Sequence, residues 1–303
     1  MRRADGRAGA DRNCQWVNWH EALHHFATYP GATQSQQHIK PLHWSIACRL
    51  VLEGGFHPDE VTPHPPFSVS ARGTQRLLAF DPTVATGTEQ TVLGGLKTKN
   101  VDVVVTKPGI GPVLAVSCKG MTGAFRNLTN RMEETIGECT NLHITYPALV
   151  FGYMFVLRAN RPPSAGVSGI GSPAGLQAND IAVDANGLAV DSIVRFHAAL
   201  RELTGRRGIR NDVSRYEAIA LTLVESNAPI AGQLFQSFPP FDSPLSADHF
   251  FRSLYQRYEE RYLLGAPDLK PVTQRLEWSP NSPALKSGNR QIPLLGYDPR
   301  LLA

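Results

Sequence analysis

Two short β-branched runs lie in the middle of the chain: Val101-Asp102-Val103-Val104-Val105-Thr106 and Val113-Leu114-Ala115-Val116-Ser117-Cys118. Lys107-Pro108-Gly109-Ile110-Gly111-Pro112 separates them. Valine-rich runs of this length, bounded by Pro and Gly, read as strands, and a short Gly-containing gap joins them as a hairpin. Hydrophobic periodicity then predicts a helix over 124–139 and a buried strand over 148–159. After a Pro/Gly/Ser loop at 160–179, a helix over 190–203 and a strand over 216–225 complete the series. The order β-β-α-β-α-β implies an α/β (α+β) fold, a central mixed sheet flanked by helices.

The flanking segments fit around that core. Asn13 is placed to cap a helix over 14–27 that stops at Pro30-Gly31. A second helix, 41–53, starts at Pro41, stops at Gly54-Gly55 and carries Leu42, Ile46 and Leu50 as a core-facing stripe. The four prolines within 57–68 make that stretch a loop. Ser246 caps a last helix to Leu263, with Phe250, Leu254, Tyr258 and Tyr262 on one face. The expected organisation is a basic arm (1–13), one catalytic domain (14–265) and a Pro/Ser-rich extension (266–303) over the surface.

Composition narrows the class. With 303 residues, 42% hydrophobic and 18% charged, the chain can bury a full core and is not of disordered type. No apolar run approaches the roughly eighteen residues of a membrane span. The segment Met1–Arg12 is polar and Arg-rich without an apolar stretch, so no secretory signal is expected. Cys14, Cys48, Cys118 and Cys139 form no C-x-x-C pair, which fits free thiols in a reducing cytoplasm. A net charge of +4 is compatible with a polyanionic partner.

One group of residues carries chemistry. Ser117 and Lys119 are two apart and leave their strand on the same face, and the antiparallel neighbour can bring Asp102 beside them. Glu133 follows in the next helix. Two carboxylates can hold Mg²⁺, which keeps several waters, and such an ion activates water and offsets phosphoryl charge. A lysine can orient the water or stabilise the phosphate in the transition state. Phosphodiester hydrolysis needs all of these functions.

The stretches Val101-Asp102-Val103-Val104 and Val116-Ser117-Cys118-Lys119 resemble the PD-(D/E)xK nuclease superfamily, the fold of most type II restriction endonucleases. The usual acid two before the lysine is Ser117 here. A subgroup that reads CCGG-core sites shares this S-x-K strand and takes its carboxylate from a glutamate after thirteen intervening residues, on the next helix. Glu133 matches that spacing, and Arg131 two before it matches as well. The resemblance spans about residues 40–160 and the strand near 216–225. It implies Asp102, Glu133 and Cys118 as metal contacts, Lys119 acting on water, and Ser117 contributing its hydroxyl or backbone. Glu53, with Glu60 behind it, is implied as the acid of the preceding helix. The cofactor implied is Mg²⁺ and the substrate double-stranded DNA cut at a specific sequence, by a homodimer or homotetramer with a cognate DNA methyltransferase. Two departures stand out. Asn100-Val101 precedes Asp102 where the family often has proline, and Gly120–Arg126 replaces the subgroup's arginine-rich recognition segment. The catalytic layout is therefore expected to carry over, and the recognised sequence is not.

Phosphate contacts are expected from Arg126, Arg131, Arg206, Arg207 and Arg210, with Arg201 and Arg215 in the same basic run. A solvated charged surface accounts for that run equally well. Two other motifs compete. His20-Glu21-Ala22-Leu23-His24 is a literal H-E-x-x-H, a zinc-peptidase pattern on a helix. Its alternative is an amphipathic helix with Trp16, Leu23 and Ala27 inward and the histidines in water. Gly169-Ile170-Gly171-Ser172-Pro173-Ala174 mimics a dinucleotide fingerprint, but no strand leads into it and it reads as loop. A third possibility is a non-catalytic DNA-binding relative with a decayed site.

Overall fold

The computed structural model describes residues 18–31, 33, 36–162, 177–286 and 296–302. Helix α1 (Trp19–Thr28) opens with a capping box. Asn18 Oδ1 accepts the Glu21 N–H at 2.7 Å, and the Glu21 carboxylate accepts the Asn18 N–H at 3.3 Å. The cap is therefore Asn18; Asn13 and the basic arm lie outside the described residues, as does the Gly169–Ala174 motif. Helix α2 (Lys40–Leu52) carries Pro41 in its first turn as expected, but only Lys40 and Arg49 escape burial, so it is a core helix rather than one with a single core-facing stripe.

The Pro-rich 57–68 stretch is more than loop. It holds β1 (Val61–Thr62), paired antiparallel to the central hairpin through Val61↔Val105 and Thr62↔Val104. Two small hairpins follow: β2 (Phe67–Arg72) with β3 (Gln75–Phe80), and β4 (Gln90–Leu93) with β5 (Thr98–Val101). The central hairpin is β6 (Val103–Lys107) and β7 (Gly111–Met121), antiparallel with Val103 opposite Val116. Then come α3 (Leu128–Thr145), β8 (Val150–Arg158), α4 (Asp191–Glu202), β9 (Ala218–Val224) and α5 (Ala247–Tyr258). Ser246 caps α5, which runs on into a wider turn at Glu259–Leu264. The five-stranded sheet has the order β1-β6-β7-β8-β9, with β7, β8 and β9 parallel. It is a mixed sheet flanked by helices, as the element order implied.

Side chains alternate across the sheet and make two cores. Val103, Val105, Val116 and Cys118 face α1, α2 and α5, while Val104, Ala115 and Phe151 face α3 and α4. The described residues after 266 are not a surface wrap. Trp278 is fully buried, and its indole donates to Val51 O at 2.9 Å. Arg300 N donates to Leu52 O at 2.8 Å, and the Arg275 guanidinium donates to Glu53 O at 2.9 Å and Gly54 O at 2.6 Å. The last carbonyls of α2 have no partner within their own helix, so the C-terminal segment supplies the donors.

Candidate active site

Asp102 sits between β5 and β6, 1% exposed, at the position that faces Ser117 when the Val103↔Val116 register is extended by one residue. Its Oδ2 accepts the Cys118 N–H at 2.7 Å and the Lys119 ammonium at 2.9 Å. On its other side the His43 imidazole, buried, places Nε2 3.7 Å from Oδ1 and makes no hydrogen bond through that nitrogen. Burial opposes ionisation of Asp102, but His43, Lys119 and the Cys118 amide together hold its carboxyl below the usual range. Burial likewise opposes charge on Lys119, and Asp102 and Glu138 overcome it, so its ammonium is held more firmly than usual. Burial keeps His43 below the usual imidazole value.

The acid that the next helix brings to Ser117 is Glu138, not Glu133. Ser117 Oγ donates to Glu138 Oε1, and Lys99 on β5 stands 3.2 Å from Glu138 Oε2. The helix dictates the choice. Glu133 and Glu138 are five positions apart, which at 3.6 residues per turn separates them by roughly 140°. Leu128, Thr135, Cys139 and Leu142 form the buried face of α3, and Glu138 lies on it, whereas Glu133 is exposed. A carboxylate interrupting an inward stripe was the signal for Glu138.

Three further expectations change. Glu53 lies at the far end of α2, ten positions beyond His43 and so about 15 Å along the axis. There it pairs with Arg49 at 3.6 Å and accepts the Asp298 N–H at 3.1 Å, beside a cleft of about 1000 Å³. Glu60 is bound to Lys107 at 2.8 Å, near the turn of the central hairpin. The Cys118 thiol points into the opposite core, where burial and the Asp102 charge push its pKa up; its main-chain N–H is what meets Asp102.

The arginines separate. Arg206 is fully buried, paired with Glu217 at 2.8 Å and bonded to Pro147 O and Ile209 O at 3.0 Å. With Arg261 and His143 around the same glutamate, it holds the N-terminal ends of β8 and β9 and cannot reach phosphate. Arg126, Arg207 and Arg210 are exposed, and Arg131 pairs with Glu134 at 2.5 Å. Arg215 is part-buried and donates to Thr204 O.

Sequence reasoning missed Glu89, Lys40 and Lys99. Burial, then the Asp102 charge, push the Glu89 carboxyl up, against the pull of Lys119, Lys40 and Lys99. That balance places Glu89 in the field of the Asp102–Lys119 pair. Asp102, Glu138 and Glu89 offer oxygen donors of the kind a hard divalent cation takes. No group of three or more His, Cys, Asp or Glu forms a metal cage among the described residues. Mg²⁺ characteristically uses one or two carboxylates with water and phosphate, and Asp102 and Glu138, which both act on Lys119, have the donor chemistry it takes. In the H-E-x-x-H segment both histidines are exposed with ring centroids 6.5 Å apart, and Glu21 is engaged in the helix cap, while Leu23 and Ala27 face inward; Trp16 lies outside the described residues.

Comparison with protein-family models, curated proteins and solved structures finds no match. No helix among the described residues is long and apolar enough to cross a membrane.

Proposed function

We propose that this protein is a Mg²⁺-dependent endonuclease of the restriction type, acting on double-stranded DNA. One observation carries the reading: next to the Asp102–Lys119 pair, a glutamate from the following helix stands at Ser117, where the strand itself lacks an acid. Glu138 stands where that acid would be, although it lies later on the helix than the thirteen-residue spacing requires. Asp102 and Glu138 are the residues that would hold Mg²⁺, with the part-exposed Glu89 in the field of the Asp102–Lys119 pair. When bound, Mg²⁺ supplies activated water and offsets charge on a phosphoryl oxygen. Lys119 keeps a proton-rich ammonium beside that position, able to orient water and to counter phosphate charge in the transition state. The Cys118 N–H fixes the rotamer of Asp102, so the carboxylate is set before substrate arrives. Ser117 does the same for Glu138.

Exposed Arg126, Arg207 and Arg210 are the candidate phosphate contacts. Cutting both strands of a duplex calls for two sites, and a homodimer supplies them with two-fold symmetry. The recognised sequence and a partner methyltransferase belong to the same proposal.

The test is cleavage of unmethylated plasmid and phage DNA with Mg²⁺ or with EDTA, followed on gels. Mg²⁺-dependent products are expected from the parent. Lys119→Ala should lose cleavage while keeping its fold and its DNA binding. Cleavage by Lys119→Ala at the parent rate, or salt-sensitive DNA binding without any cleavage in Mg²⁺ or Mn²⁺, would refute the assignment.

A further inference from the structure

Lys99 is placed with more care than an exposed hairpin lysine requires. It lies on β5, opposite the buried Val92 of β4, and its ammonium stands 3.2 Å from the nearly fully buried Glu138 carboxylate. The hairpin that carries it is clamped to α3, the helix that carries Glu138. Asn141 Oδ1 accepts the N–H groups of Leu96 at 2.8 Å and Lys97 at 3.0 Å, and its Nδ2 donates to Lys97 O at 2.9 Å. The Gly95 N–H donates to Asn141 O at 2.7 Å. The contact is too close for side chains: a Cβ on Gly94 would run into Asn141, and one on Gly95 into Ile144. Asn141 is three positions after Glu138, hence its neighbour on the same side of the helix. One face of α3 therefore grips the turn of the hairpin and meets its lysine.

The electrostatics give this a purpose. Glu138 is 6% exposed, and a carboxylate so deep needs a counter-charge as well as the Ser117 hydroxyl. Lys119 is committed to Asp102, so Lys99 is the cation in direct contact. Its side chain is a third exposed, which leaves the ammonium an outward path. A divalent cation held by Glu138 would repel it along that path, toward solvent.

We propose that Lys99 is a built-in counter-ion of Glu138, held by the Asn141 clamp, which keeps the carboxylate aligned with Ser117 and yields it to a divalent cation. Its effect on cleavage rests on the nuclease reading, while its effect on cation binding does not. Lys99 is a positioning residue, acting through Glu138.

The experiment titrates Mn²⁺ into the full chain by calorimetry, comparing the parent, Lys99→Met and Lys99→Arg, with thermal melts in EDTA to confirm folding. Removing a competing charge should tighten Mn²⁺ binding in Lys99→Met by about threefold or more, and Lys99→Arg should stay close to the parent. In parallel, Lys99→Met should lower kcat for DNA by about tenfold or more at unchanged DNA affinity, and Lys99→Arg should restore most of it. Asn141→Leu, which frees the hairpin and leaves the lysine in the chain, should reproduce the Lys99→Met affinity change. Mn²⁺ affinity that is unchanged in Lys99→Met, or a parent that binds no Mn²⁺, overturns the counter-ion. A Lys99-dependent Mn²⁺ affinity in a parent that cuts no DNA would instead support the counter-ion and refute the nuclease.

Discussion

Exchanging Glu138 and Glu133 separately for glutamine tests the site at its most specific point. Glu138→Gln keeps the shape and the oxygen that accepts from Ser117, and removes only the charge. Against Lys99 at 3.2 Å that charge amounts to about 5 kcal/mol at an effective dielectric constant of about 20. Lys99 is a third exposed, and water recovers most of this when the pair is lost, so stability should fall by only about 1 kcal/mol. Catalysis has no such relief. A charge directed at the reacting centre is worth roughly 10²–10³ in rate, about 3–4 kcal/mol. The expected signature is a large loss of single-turnover nicking of supercoiled plasmid in Mg²⁺, with urea unfolding nearly unchanged. Glu133→Gln, exposed on another side of α3, should stay within about twofold of the parent, because it touches neither Ser117 nor Lys119. Loss of cleavage in Glu133→Gln with retention in Glu138→Gln would refute the argument from helix faces. Retention in both would remove the helix acid from the mechanism.

Trp278→Ala removes a fully buried indole and its bond to Val51 O, a cost of about 4 kcal/mol, so Tm should drop by about 8–16 °C; an unchanged melt would mean the C-terminal segment is not part of the core. Arg206→Ala leaves Glu217 short of one buried partner and should cost about 3 kcal/mol in urea unfolding, whereas the slope of DNA affinity against salt should not move. Stability should fall as pH drops from 7.5 to 5.5. Burial holds His38 and His197 below the ordinary imidazole value, so in this window these two groups bind more protons in the unfolded chain than in the folded one. Melts at the two pH values should differ less in the double variant His38→Gln/His197→Gln; an identical difference would exclude these two groups.

The middle of the fold was legible because its signals are local. Val150–Arg158 and Ala218–Val224 fall inside the strands expected from unbroken apolar runs, and Asp191–Glu202 inside the expected helix. The small hairpins were not. Gln75–Phe80 and Thr98–Val101 carry no β-branched alternation, and what holds them comes from far along the chain. Leu78 N, for example, donates to the Ser282 hydroxyl, and Arg76 bridges to Trp278. The C-terminal segment hid for a related reason. Its Pro, Ser and Asn content reads as surface, and the carbonyls it satisfies belong to a helix more than 200 residues earlier.

The site divides along the same line. Asp102, Ser117 and Lys119 could be placed together because strand geometry has a period of two, and a hairpin register leaves no choice of face. Helix-borne acids carry no such protection. A glutamate chosen five positions too early turns roughly 140° away, and spacing to a lysine on another element cannot detect this. Burial can: Glu138 is the only carboxylate among the buried residues of α3. The same reasoning separates Glu53 from the site. Helix α2 is buried along almost its whole length, so its sequence does not say which end meets the sheet's acid. The structure brings its first turns there, with His43 at 3.7 Å from Asp102, and leaves Glu53 to the C-terminal segment. For the acids supplied by helices, the apolar stripe identifies the residue and the motif spacing only suggests it.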